Sequence, residues 1–149
     1  MISKIIVPTD GSKAAQKAAK YAVELAKQTG ASLTLLSVID NRFLVSQAVS
    51  SAASPTHLKE PVEDYLKQEV KSYSDEIGRL CKRNHIKFSS VIKTGHPVEE
   101  IVKEAEKMKA DLVVMGSHGQ SALRAAVLGS ITFGVTHKAT KIPVLIVRR

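Results

Sequence analysis

Asp111-Leu112-Val113-Val114-Met115-Gly116-Ser117-His118-Gly119 runs from a short apolar segment straight into a glycine pair, and Gly129-Ser130 follows after nine intervening residues. The apolar part has the length and β-branched content of a buried strand. Glycines at the end of such a strand allow positive φ and let backbone N–H groups approach a ligand, the arrangement that cradles phosphate. Gly129, followed by Ser130, Ile131 and Thr132, can open a helix running to Ala139 whose N-terminal amides and dipole favour an anion. Glycines after strands are also ordinary turns, so this stretch alone leaves both readings standing.

Outward from it, strand-like and helix-like segments alternate along the whole chain. Ile2 to Val7 reads as a buried strand. Lys13 to Gln28 reads as a helix, with Ala15, Ala18, Ala19, Ala22 and Leu25 on one face and Gly30 just past its end. Ser32 to Ile39 is a second strand, Val62 to about Asn84 a long helix striped by Leu66, Val70, Tyr73, Ile77 and Leu80, and Lys87 to Lys93 a third strand. Pro97 opens the next helix, which turns Val98, Ile101, Val102, Ala105 and Met108 inward. Asp111 to Met115, a helix from Ser130, and Pro143 to Val147 complete the series. Gly134 inside the last helix weakens it by about 1 kcal/mol relative to alanine, against a regular helix there. Such alternation implies an α/β fold: an open parallel sheet with right-handed crossovers and helices on both faces.

Asp40 to Pro61 breaks the rhythm. It is long for a connection and reads as a flexible Ser- and Ala-rich loop, with Val45 to Val49 as a candidate helical turn. It is either a solvated insertion or a cover over a site. Ligands of open parallel sheets bind outside the carboxyl ends of the strands where the strand order reverses. If the reversal falls between strands one and four, Asp10 in Pro8-Thr9-Asp10-Gly11-Ser12 faces the Gly116 loop. Asp10 then suits a ribose or a divalent metal beside phosphates. Capping or charging the first helix would by itself explain an Asp before a helix, and from spacing alone that reading comes first.

With 149 residues and 44% hydrophobic content, the chain is expected to form one domain over 1–149 that buries a core without disulfide or metal. It has neither a run long enough to span a membrane nor the regions of a signal peptide, which predicts a cytoplasmic protein. Cys81 lies in a helical stripe and reads as a core residue. The net charge of +8 raises nucleic acid as a partner, but aromatics are only 4% and the lysines are mixed with glutamates, as in Lys103-Glu104-Ala105-Glu106-Lys107. Solvated helix faces that attract anions are the expectation instead. His57, His85, His96 and His137 lack the spacing of a metal cluster. His118, inside the glycine run, reads either as a phosphate donor or as a solvent-facing turn residue.

Lys4 to Ser12, Thr94-Gly95-His96-Pro97, Asp111 to Gly119 and Ile142 to Arg148 together resemble the universal stress protein family in its single-domain form, and the resemblance spans the chain. The family's nucleotide-binding branch carries Gly-x2-Gly-x9-Gly-Ser/Thr, which Gly116, Gly119, Gly129 and Ser130 reproduce without insertion or deletion. The resemblance implies strand order 3-2-1-4-5 in a Rossmann-like fold and ATP as ligand, arriving with magnesium or manganese. It places Asp10 at the ribose, with Pro8 and Thr9 shaping the same edge, and Val38 at the adenine. Gly116, Gly119, Gly129, Ser130, Ile131 and Thr132 fall at the phosphates, with Met115 flanking the nucleoside. It also implies a homodimer through strand 143–147. Pro143 fits an edge strand independently, and a dimer would cover that edge.

The chain contains neither Gly-x4-Gly-Lys-Ser/Thr nor Gly-x-Gly-x-x-Gly, so neither a motor-type NTPase nor a dinucleotide oxidoreductase is indicated. It supplies binding glycines but no evident base or arginine pair for phosphoryl transfer, and no catalytic residue is assigned. The expectation is an ATP-binding, nucleotide-dependent stress-response protein. Two alternatives remain: a slow ATPase or phosphotransfer enzyme using Asp10 and a divalent metal, and an interaction protein that binds cyclic AMP, another adenine nucleotide, or none.

Overall fold

Odd and even residues of β1 (Lys4–Thr9) serve different cores. Ile5 and Val7 pack with Ala18, Ala22, Ile77, Cys81, Leu112 and Val114. Ile6 packs with Leu36, Val98, Ile101, Val113, Met115 and Val135. Strands buried on both faces need helices on both. Accordingly α1 (Lys13–Thr29) and α2 (Pro55–Arg83) supply the first core, while α3 (Pro97–Lys107) and α4 (Ser130–Lys138) supply the second. The computed structural model describes residues 1–41, 55–118 and 129–148, with 55–62 described in backbone only.

The remaining strands are β2 (Ser32–Asp40), β3 (Phe88–Gly95), β4 (Leu112–Gly116) and β5 (Val144–Val147). All neighbours are parallel, in the expected order β3-β2-β1-β4-β5. The chain moves outward from β1 through β2 to β3, then crosses back to β4 on the other side of β1. The strand order therefore reverses between β1 and β4.

Local chemistry sets the helix ends. Ser12 caps α1 by accepting from the Ala15 amide, and Gly30 closes it at φ 75°, a left-handed conformation that suits glycine. Pro97 stands in the first turn of α3, where a missing N–H costs nothing. The buried face of α1 is almost entirely alanine, so its backbone lies close against the sheet. Cys81 is fully buried, and burial pushes its thiol up to about 11, which keeps it protonated and inert.

Three sequence expectations need correction. The long helix begins at Pro55 and not at Val62. The Ser- and Ala-rich composition before it suggests a loop up to Pro61, yet the backbone is helical from Pro55 through Pro61. Residues 55–61 are thus helix rather than loop; 42–54, including the candidate turn at Val45 to Val49, lie outside the described residues. β4 begins at Leu112, because Asp111 turns its carboxylate back to accept from the amides of Ser3 and Lys4 and from the Ser3 hydroxyl, at 2.8–2.9 Å. Helix α4 runs unbroken through Gly134, where a Cβ would stand 2.8 Å from a methyl of Val98. That glycine lets α4 lie close to α3.

Candidate functional site

Every described residue of the expected site lies at the carboxyl ends of β1, β2 and β4 or at the start of α4. β1 and β4 pair at Ile5–Leu112 and Ile6–Val113, and beyond those pairs β1 runs on to Thr9 and β4 to Gly116. On the other side Thr9 pairs with Ser37, next to Val38. Residues far apart in sequence thus meet where the strand order reverses.

The first wall is the turn after β1. Thr9 Oγ1 accepts from the Gly11 amide at 3.2 Å, and Asp10 Oδ1 accepts from the Ser12 amide at 3.0 Å. Gly11 sits at φ 77°, a conformation open to glycine at little cost. The cap of α1 is Ser12, so Asp10 is not that cap. Its carboxylate braces the preceding turn at an exposed position.

The second wall joins β4 to α4. The buried Thr132 hydroxyl donates to the Gly116 carbonyl at 2.9 Å, and the Gly129 amide donates to the Ser117 carbonyl at 2.8 Å. The chain therefore leaves β4 and re-enters at α4 through one hydrogen-bonded gate. Gly129 is the N-cap and provides no side-chain hydrogen bond. The amides of the first turn have no intrahelical acceptor, and the helix dipole makes this end positive. With the Gly129 amide already engaged, the amides of Ser130, Ile131 and Thr132 are the ones an anion would meet.

Neither described glycine of the gate works through positive φ. Gly129 is extended at φ −60°. Gly116 is also outside the left-handed region, and a Cβ on it would meet the Ala14 backbone at 2.8 Å. Gly116 thus admits α1, which the sequence reading did not foresee. Gly119 lies outside the described residues.

The two faces of the sheet divide the other residues. Val38, Met115 and Ile131 pack around the α3/α4 core, and Pro8 is buried on the strand beside them. Thr9, an odd residue of β1 like Ile5 and Val7, turns its side chain to the α1/α2 face, where it lies beside Tyr73. Ser117 and His118 are 3% and 6% exposed and share a hydrogen bond of 2.6 Å between Oγ and Nδ1. A solvent-facing His118 is therefore ruled out.

Tyr73 is the residue the sequence reading missed. Its ring joins the α1/α2 core, as the stripe predicted, but its hydroxyl is fully enclosed and lacks a hydrogen bond. The Thr9 side chain is near enough to influence it, without a bond of acceptable length and angle. Burial pushes Tyr73 up to about 12, opposed by Thr9 and reinforced by Glu76 and Asp10. Leaving such a group unpaired costs about 1–3 kcal/mol. No pattern of residues in sequence announces an unpaired hydroxyl.

Among the described residues, no group of three or more His, Cys, Asp or Glu side chains could hold a metal ion. No described helix is long and apolar enough to cross a membrane.

The model of the universal stress protein family matches residues 1–148. This chain belongs to that family. Universal stress protein MJ0531 of Methanocaldococcus jannaschii is 34% identical over 149 residues, covering 100% of this chain and 84% of its own. The solved structure of MJ0577 from the same organism superposes with a TM-score of 0.85 at 34% identity, covering 100% of this chain and 97% of that one. A universal stress protein in complex with cAMP shares the fold at a TM-score of 0.70 and 24% identity, covering 98% and 97% of the two chains. The doubly covered parallel sheet of this universal stress protein is thus the fold of its relatives.

Proposed function

We propose that this universal stress protein binds ATP in the crevice between the turn after β1 and the gate from β4 to α4, and works as a nucleotide-dependent regulator. One observation carries the reading. The start of α4, without a side-chain cap, is pinned to the end of β4 by Thr132 and Gly116 where the strand order reverses. Fixed amides at such a point favour an anionic group. Ser130, Ile131 and Thr132 would hold phosphates, Asp10 would accept from the ribose, and Val38 and Met115 would flank the base. The spacing Gly116, Gly119, Gly129, Ser130 favours ATP over cAMP, whose complex concerns a more distant relative.

The metal, magnesium or manganese, would come with the triphosphate. Binding rather than turnover is proposed, because the Asp10 carboxylate already braces its own turn. A homodimer through β5 belongs to the same proposal. That strand lies at the sheet edge with all of its residues partly exposed, and pairing with a second copy would cover it.

Gly119→Val tests the loop. The variant is expected to lose ATP binding while keeping the circular dichroism of the wild type. Unchanged affinity would show that the loop is only a turn. Single-turnover measurement with labelled ATP separates binding from catalysis: hydrolysis above blank that Asp10→Asn abolishes while binding is retained would replace the proposal with an ATPase.

A further inference from the structure

The enclosed Tyr73 hydroxyl lies beside Thr9 at the end of β1 and lacks a hydrogen bond of its own. A phenylalanine would fill the same core position without burying an unpaired oxygen. An unsatisfied buried group in a native protein points to strain, a bound water or a state in which the group is paired. Its surroundings identify the pair. Tyr73 packs into the α1/α2 core with Ile77 and Cys81, which fixes the ring. Its neighbour Thr9 ends β1 and leads into a turn whose Asp10 and Gly11 are exposed. The partner able to move is therefore Thr9.

We propose that Tyr73 is a positioning residue for the crevice: when ATP engages the Asp10 turn, the Tyr73 hydroxyl donates to Thr9 Oγ1 and stiffens that turn. The inference rests on the nucleotide reading above. Thr9 Oγ1 already accepts from the Gly11 amide at 3.2 Å, and Asp10 Oδ1 accepts from the Ser12 amide at 3.0 Å. A bond from Tyr73 would anchor this chain of contacts to α2. Tyr73 touches no ligand itself, because it acts on the sheet face opposite Val38 and Met115. An arrangement of the turn in which Tyr73 and Thr9 are bonded would be favoured by that bond, and a nucleotide that prefers this arrangement would draw the turn toward it.

Calorimetry with magnesium and ATP, together with amide exchange, on wild type, Tyr73→Phe, Thr9→Val and the double variant tests this. Tyr73→Phe is expected to be at least as stable as wild type without ligand, to bind ATP about three- to tenfold more weakly, and to lose the ATP-induced protection of the Gly11 and Ser12 amides. In the Thr9→Val background the Tyr73 change should cost no further affinity. Wild-type affinity in Tyr73→Phe, a loss that persists in the Thr9→Val background, or lower ligand-free stability would each overturn the inference while leaving the nucleotide reading intact. Absence of ATP binding by the wild type would remove both.

Discussion

Gly116 at the end of β4 lies so close to Ala14 in the first turn of α1 that a Cβ on it would stand 2.8 Å from the Ala14 carbonyl carbon and oxygen. Backbone cannot swing aside as a side-chain tip can. The glycine that opens the phosphate-type run is therefore a packing residue whatever it binds. Gly116→Ala is expected to destabilise the fold by about 1–3 kcal/mol, read as a lower urea midpoint without ligand. An unchanged midpoint would show that α1 yields freely.

The gate between β4 and α4 rests on the buried bond from Thr132 to the Gly116 carbonyl at 2.9 Å. Thr132→Val keeps the shape and removes the donor, and should cost about 1 kcal/mol, while Thr132→Ser should stay near wild type. Chemical denaturation of both variants checks this. A loss in Thr132→Ser with none in Thr132→Val would mean that the methyl, rather than the hydroxyl, holds the gate.

At the opposite end of the sheet, the hydrogen bonds from Ser3 and Lys4 hold the Asp111 carboxyl below its ordinary range, chiefly through the Ser3 amide. A depressed carboxyl stabilises the fold above its unfolded value and loses that contribution as pH falls through the folded one. Asp111→Ala is expected to lower the urea midpoint at neutral pH, with the gap to wild type closing in acid. A gap that stays constant with pH would mean that the charge of Asp111 contributes nothing.

The strand and helix order was legible because the core-facing elements differ in pattern: an unbroken apolar run in Ile5, Ile6 and Val7, and a 3.6 period in the alanines of α1. The caps were partly legible, since Gly30 and Pro97 occupy positions their backbone chemistry suits. What escaped depends on approach between distant segments. That Gly116 is shaped by Ala14, Gly134 by Val98 and Asp111 by Ser3 becomes visible only once the strands are in order. The start of α2 escaped for a local reason: Pro61 and the weak apolar stripe of 55–61 look like a loop until a helix is seen to run through them. In the candidate site, the placement of Asp10 and Ser130 could be read from topology. The enclosed hydroxyl of Tyr73 could not, because its chemistry lies in what does not touch it.

The central claim is that ATP occupies the crevice between Asp10 and the start of α4. Isothermal titration of the purified protein, freed of bound nucleotide, with ATP and magnesium tests it most directly. The account predicts saturable heat with one ATP per chain. No heat at millimolar ATP would contradict it.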